Sequence, residues 1–290
     1  MPAEPIHARH ERLFATNRFV YPVISRRSGG LSIGVNLNPD KICNFDCIYC
    51  QVDRTVQGLT RFVDLPAMLV ELEQTLEAAV SGRLFQHPDF EGVPPSLRRL
   101  NDIAFSGDGE PTSHRNFDQV VAASAEVKRR LGLDRVKMVL ITNASQFHRP
   151  HVQHGLEILD ANQGEIWAKL DAGSENYFGK VERTTVKLAR ILENITQAAC
   201  QRPLVIQSLF MRIDGESPDD AELTAYCQRL REIVSAGGRL KLVQICTVAR
   251  RPTETYVQSL SDAEVDRIVE MVRHLTGLNA QPFYGVEFAE

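Results

Sequence analysis

After residue 30 the chain alternates six times between a short run of branched apolar residues and a segment whose apolar residues recur at helical spacing. The strand-like runs are 31–37, 102–106, 136–141, 165–170, 204–210 and 240–246, and the helical segments are 66–80, 117–131, 150–160, 185–200, 218–235 and 262–275. Neighbouring parallel strands need long crossovers, and a helix after each strand supplies them. Six units are too few to close an eight-stranded barrel. The expected fold class is therefore α/β: a partial, open (βα)6 TIM-like barrel with parallel strands and an N-terminal hairpin extension. RFVYPVISRRSGGLSI supplies that hairpin, turning at Ser28-Gly29-Gly30, and FYGVEF (283–288) reads as a last strand. The expected organisation is an N-terminal extension over 1–30, a core barrel over 31–250, and a C-terminal helix and strand over 251–290 packing on the core.

Local signals fix several helix ends. Asp64 is placed to cap the first helix, with Pro66 in its first turn and Gly82 beyond its end. Ser217 with Asp220, and Ser261 with Glu264, have capping-box spacing.

In parallel α/β sheets chemistry gathers at the carboxyl ends of the strands. Here the first strand leads to three cysteines and the second to Ser106-Gly107-Asp108-Gly109-Glu110-Pro111-Thr112. The third leads to Thr142 and Asn143, the fourth to Lys169 and Asp171, the fifth to Arg212, and the sixth to Thr247 and Arg250–Arg251.

Of six cysteines, three crowd into eight residues as Cys43-Asn-Phe-Asp-Cys47-Ile-Tyr-Cys50, while Cys200, Cys227 and Cys246 are scattered. No apolar run approaches the roughly 18–20 residues that cross a bilayer, and the N-terminus carries charges and prolines instead of a signal peptide's apolar stretch. These features predict a cytoplasmic protein, without a membrane partner, whose clustered thiols bind metal and form no disulfide framework. Three thiolates can hold three corners of an iron–sulfur cubane and leave the fourth iron open. Structural zinc, which demands four ligands, is the alternative. Such a chain would be an iron–sulfur or zinc protein without further chemistry.

The C-x3-C-x2-C spacing, with an aromatic residue before its last cysteine, resembles the signature of the radical S-adenosylmethionine superfamily. The resemblance spans roughly residues 31–250, and SIGVNLNPDKICNFDCIYCQ and FSGDGEPT resemble a branch related to tRNA wyosine-base synthesis. It implies a 4Fe-4S cluster on Cys43, Cys47 and Cys50, with S-adenosylmethionine chelating the open iron. It further implies reductive cleavage to a 5′-deoxyadenosyl radical, which abstracts hydrogen from a substrate. Backbone at Tyr49 would meet the adenine. Gly107, Gly109 and Glu110 stand at the position that binds the methionine amino group, although Asp108 interrupts the glycine pair. Thr142 and Asn143 are further candidates, read either as ligand contacts or as a turn cap. Lys169 and Asp171 share a strand face and would hold the ligand's carboxylate and ribose hydroxyls; a buried ion pair is the alternative. The implied partner is a flavodoxin- or ferredoxin-like reductant. The branch suggests RNA as substrate, against a net charge of −4 and a pI near 6.1; small metabolites and peptides stay open.

Other features read more plainly. His148, His151 and His154 fit a solvated helix start better than a ligand set, and Trp167 and Cys246 read as core. Arg250–Arg251, at the strand ends, suits either an anion or a loop ion pair.

Overall fold

The computed structural model describes residues 14–58 and 60–285. In chain order the elements are β1 (Val20–Ser25), β2 (Gly30–Val35), α1 (Leu65–Val80), β3 (Leu100–Phe105), α2 (Phe117–Arg130), β4 (Lys137–Thr142), α3 (Pro150–Asp160), β5 (Gly164–Lys169), α4 (Glu175–Glu182) and α5 (Leu188–Gln201). Then follow β6 (Leu204–Leu209), β7 (Arg212–Ile213), α6 (Asp220–Ser235), β8 (Leu240–Cys246), β9 (Val257–Gln258), α7 (Asp262–Thr276) and β10 (Ala280–Phe283).

Two compact units divide the chain. Within the described residues, the first comprises 14–43, 56–141 and 149–165, and the second 44–55, 142–148 and 166–285. In the first, β1 pairs antiparallel with β2 as the expected hairpin, and β2, β3 and β4 run parallel in that order. In the second, β6 pairs parallel with both β5 and β8, and β10 joins β8 in parallel. These strand orders, with a helix after each of six strands, are those of the α/β, partial, open (βα)6 arrangement with an N-terminal hairpin. β10 begins upstream of the segment read as the last strand. Tyr284 and Gly285 fall beyond it, and residues 286–288 of that segment lie outside the described residues.

The apolar faces explain the layers. Met68, Leu72, Leu76 and Ala79 of α1 are buried, and Phe117 of α2 meets Phe105 of β3 edge to face at 6.2 Å between ring centroids. In the second unit, Ile191, Ile195, Ala198 and Ala199 of α5 are buried, as are Leu223, Tyr226 and Leu230 of α6. Gly173 lies so close to α6 that an added Cβ would sit 2.0 Å from the Tyr226 backbone nitrogen. Gly173→Ala is therefore expected to destabilise the fold by about 1–3 kcal/mol through overpacking, read from urea unfolding.

Asp64 and Ser261 cap α1 and α7 as expected, the latter in a complete capping box with Glu264. Ser217 does not cap α6: Asp219 accepts from the Glu222 amide and fills that role. The Ser217 hydroxyl instead donates to Glu264, which also takes Arg212 at 2.7 Å. Partial burial pushes the Glu264 carboxyl up, but bonds from Ser217, Ser261 and Arg212 outweigh this and bring its pKa down to about 2. A depressed carboxylate contributes stability above its unfolded pKa near 4.5 and loses it as pH falls toward 2. Glu264→Gln is expected to flatten the stability profile across that window, removing on the order of 1 kcal/mol of pH dependence once solvent screening is allowed for.

Candidate functional site

The residues singled out by sequence fall in both units. In the first, β2 and β3 end beside each other, and their following loops pack tightly. An added Cβ on Gly107 would lie 2.2 Å from Asn36 Oδ1, and one on Gly109 would lie 2.3 Å from the Ile42 carbonyl oxygen. Both glycines are thus required by the approach of the 36–42 segment. Asp108 turns onto Asn36, whose Nδ2 donates to Asp108 Oδ2 at 2.7 Å. Glu110 is buried and accepts from the Thr112 amide at 3.0 Å, capping a short 3₁₀ turn over Pro111–Ser113. Cys43 closes this unit's share of the cysteine segment, half-buried and outside any disulfide.

Cys47 and Cys50, also half-buried and outside any disulfide, belong to the second unit. Their loop rests on α4: the amides of Asp46 and Ile48 donate to the carbonyls of Glu182 and Val181 at 3.2 and 2.9 Å. Ile48 and Tyr49 enter a core with Val181, Met211, Ile213, Val248 and Val257. Phe45 meets Phe178 of α4 edge to face. The Cys50 amide closes a turn onto the Cys47 carbonyl at 2.9 Å.

Beneath this loop lies a buried polar cluster. Tyr49 Oη donates to Asp171 Oδ2 at 2.6 Å and lies 3.3 Å from Glu182 Oε1, while Cys47 Sγ is 2.7 Å from Glu182 Oε2. Lys169 Nζ pairs with Asp171 Oδ2 at 3.1 Å and sits 4.4 Å above the Tyr49 ring. The second Asp171 oxygen accepts from the Leu209 amide at 2.7 Å. Lys169 and Asp171 therefore form the ion pair that their shared face allowed. Burial works against the Lys169 charge, but Asp171 and Glu182 more than offset it, and the ammonium is held above its usual range. Burial, then the Glu182 carboxyl, pushes the Cys47 thiol up; burial, then Asp171, does the same to the Tyr49 phenol. Burial and Asp171 likewise raise Glu182.

Thr142 and Asn143 build the adjoining turn, accepting from the amides of Ala144 and Ser145 at 3.0 and 3.1 Å. Asn143 Nδ2 also reaches Asn44 Oδ1 at 3.0 Å, tying this turn to the cysteine loop. His154 Nδ1 faces Asp118 at 3.0 Å. Among the described residues no three His, Cys, Asp or Glu side chains converge on a point where a single metal ion would sit. A cubane makes a different demand, attaching each thiolate to its own iron, and three cysteines outside any disulfide at C-x3-C-x2-C spacing are a fitting donor set for it. For Cys47 to ligate, its thiol must lose its proton and leave Glu182.

No local pattern points to Glu182. Its helix is only eight residues long, and its partner Cys47 lies 135 positions away.

Strand-end loops on a parallel α/β scaffold and three cysteines at C-x3-C-x2-C spacing are the features on which the chain resembles the radical S-adenosylmethionine superfamily. No family model matches it. Among curated relatives, it is 21% identical over 261 residues to a protein named GTPase Obg of Brachyspira hyodysenteriae, covering 87% of this chain and 33% of that one. It is 30% identical over 183 residues to a UPF0026 protein of Methanocaldococcus jannaschii, covering 60% and 47%. The chain thus spans between a third and a half of these relatives' lengths. It contains no Gly-Lys-Ser or Gly-Lys-Thr of a phosphate-binding loop. Among solved structures it is similar to TYW1 with a lysine–pyruvate adduct bound, at a TM-score of 0.48 and 13% identity over 84% of this chain and 73% of that one.

Proposed function

We propose that this chain is a radical S-adenosylmethionine enzyme, working in the cytoplasm with a flavodoxin- or ferredoxin-like reductant. The observation that carries this reading is the segment 43–50: three cysteines outside any disulfide at C-x3-C-x2-C spacing, after the first parallel strand. Cys43, Cys47 and Cys50 would hold a 4Fe-4S cluster. When bound and reduced, such a cluster supplies the electron that splits S-adenosylmethionine into methionine and a 5′-deoxyadenosyl radical, which takes hydrogen from the substrate.

The chain's own residues hold and enclose the reactants. The 44–50 loop is fixed through its backbone on α4 and through Ile48 and Tyr49 in the core. Gly107, Gly109 and Glu110, with Thr142, Asn143, Lys169 and Tyr49, are the proposed contacts for S-adenosylmethionine. Asp171 is enclosed and acts by holding Lys169 and Tyr49 in place. Lys169, with 19% of its side chain exposed, keeps donors for a ligand carboxylate.

The test is anaerobic reconstitution with iron and sulfide, then addition of dithionite and S-adenosylmethionine. Formation of 5′-deoxyadenosine is expected. A protein that holds the cluster and forms none would overturn the reading. Glu110→Ala is expected to weaken S-adenosylmethionine binding while bound iron stays unchanged.

A further inference from the structure

The second unit contains a groove of about 650 Å³ along residues 251–261, within the range of roughly 300–1,000 Å³ typical of small-molecule sites. Two arginines line it, Arg212 and Arg251, together with the carboxylate of Glu254. Glu254 is spent on Arg183 at 2.6 Å, and Arg212 on Glu264 at 2.7 Å. Arg251 is exposed and has no ion pair or hydrogen bond among the described residues. The side chains of Thr255 and Gln258, also on the lining, likewise have no such partner there. Hydroxyl, amide and guanidinium donors therefore face the groove around one uncompensated positive charge. That is the chemistry that receives an oxyanion, and arginine's fork suits phosphate.

The groove's position ties it to the cysteine loop. Thr253, another lining residue, donates its amide and its hydroxyl to the Cys50 carbonyl at 3.2 and 3.3 Å. Gln51 Nε2 reaches the Arg250 carbonyl at 3.4 Å. A molecule in the groove would lie beside the cysteine turn.

We infer that this groove binds the phosphate group of a small phosphomonoester, the substrate of the reaction proposed above, with Arg251 as the main anion contact. The inference rests on that reading for the word substrate and on the groove alone for phosphate. A polynucleotide is disfavoured: it would call for several cations along a face, whereas the groove offers one and the chain carries a net charge of −4.

The experiment is calorimetric titration of the reconstituted full-length protein with ribose 5-phosphate, with ribose, and with a single-stranded RNA oligonucleotide. Ribose 5-phosphate is expected to bind and ribose is not. Arg251→Gln should weaken ribose 5-phosphate by about 10-fold or more, as expected for one charge-assisted hydrogen bond. Arg251→Lys should fall between, and Arg267→Gln, whose arginine pairs with Asp220 elsewhere, should change nothing. Equal binding by wild type and Arg251→Gln, no binding at all, or RNA binding tighter than ribose 5-phosphate would each overturn the inference. Assaying 5′-deoxyadenosine on the same preparation separates the two claims. Phosphate binding without that product sinks the enzyme reading and leaves the groove, whereas the product with an indifferent Arg251 does the reverse.

Discussion

Cys47→Ala is expected to abolish the iron–sulfur centre. Wild-type protein reconstituted without air should hold about four irons and four sulfides per chain; the variant should retain essentially none after desalting and form no 5′-deoxyadenosine. The size of the effect follows from the donor count. Only three thiols are available on the segment, so losing one leaves two, with no other cysteine within 100 residues to substitute. Cys200→Ala is the matched control: its thiol is exposed and donates to the Ala236 carbonyl, so iron content should not change. Fold loss is checked by the urea midpoint, which Cys47→Ala should move little, because the loop is held by Ile48, Tyr49 and backbone bonds to α4.

The second large effect is on stability. Asp171 is completely buried and serves Lys169, Tyr49 and the Leu209 amide together. Asp171→Ala would strand the Lys169 ammonium without its counter-charge and the other donors without an acceptor. Breaking a buried pair from one side costs about 3–5 kcal/mol, and the partial exposure of Lys169 places this case near 3 kcal/mol. Denaturant unfolding measures it. Adding Lys169→Met to Asp171→Ala should recover part of the loss, since no unpaired charge then remains. A loss below about 0.5 kcal/mol would mean that the pair is effectively solvated.

Much of the scaffold was legible because burial imposes periodicity. The runs at 204–210 and 240–246 became β6 and β8 with little shift, and Asp64 and Ser261 cap α1 and α7 as their spacing indicates. α4 was not legible: eight residues with Phe178 and Val181 as their buried apolar contacts give too short a pattern to distinguish from a loop. Ser217 shows a different limit, since a capping residue can be outcompeted two positions on, here by Asp219. The cysteine segment is legible as a candidate donor set because its three thiols fall within eight residues. Glu182, the acid against Cys47, is brought there only by the tertiary fold. The approach of Asn36, Asn38 and Ile42 to the glycines at 107 and 109 is likewise tertiary, and no local pattern shows it.

The second unit is stitched from three separate stretches of chain, and Ile48 and Tyr49 reach its core from the earliest of them. A fragment begun at residue 166 would therefore carry Val181, Met211, Ile213, Val248 and Val257 with three of their packing partners, Cys47, Ile48 and Tyr49, missing. Subcloning by halves is consequently a poor route to this protein. During synthesis, Ile48 and Tyr49 must wait for the apolar patch on α4 and β7, made more than a hundred residues later, which makes this a slow, long-range closure.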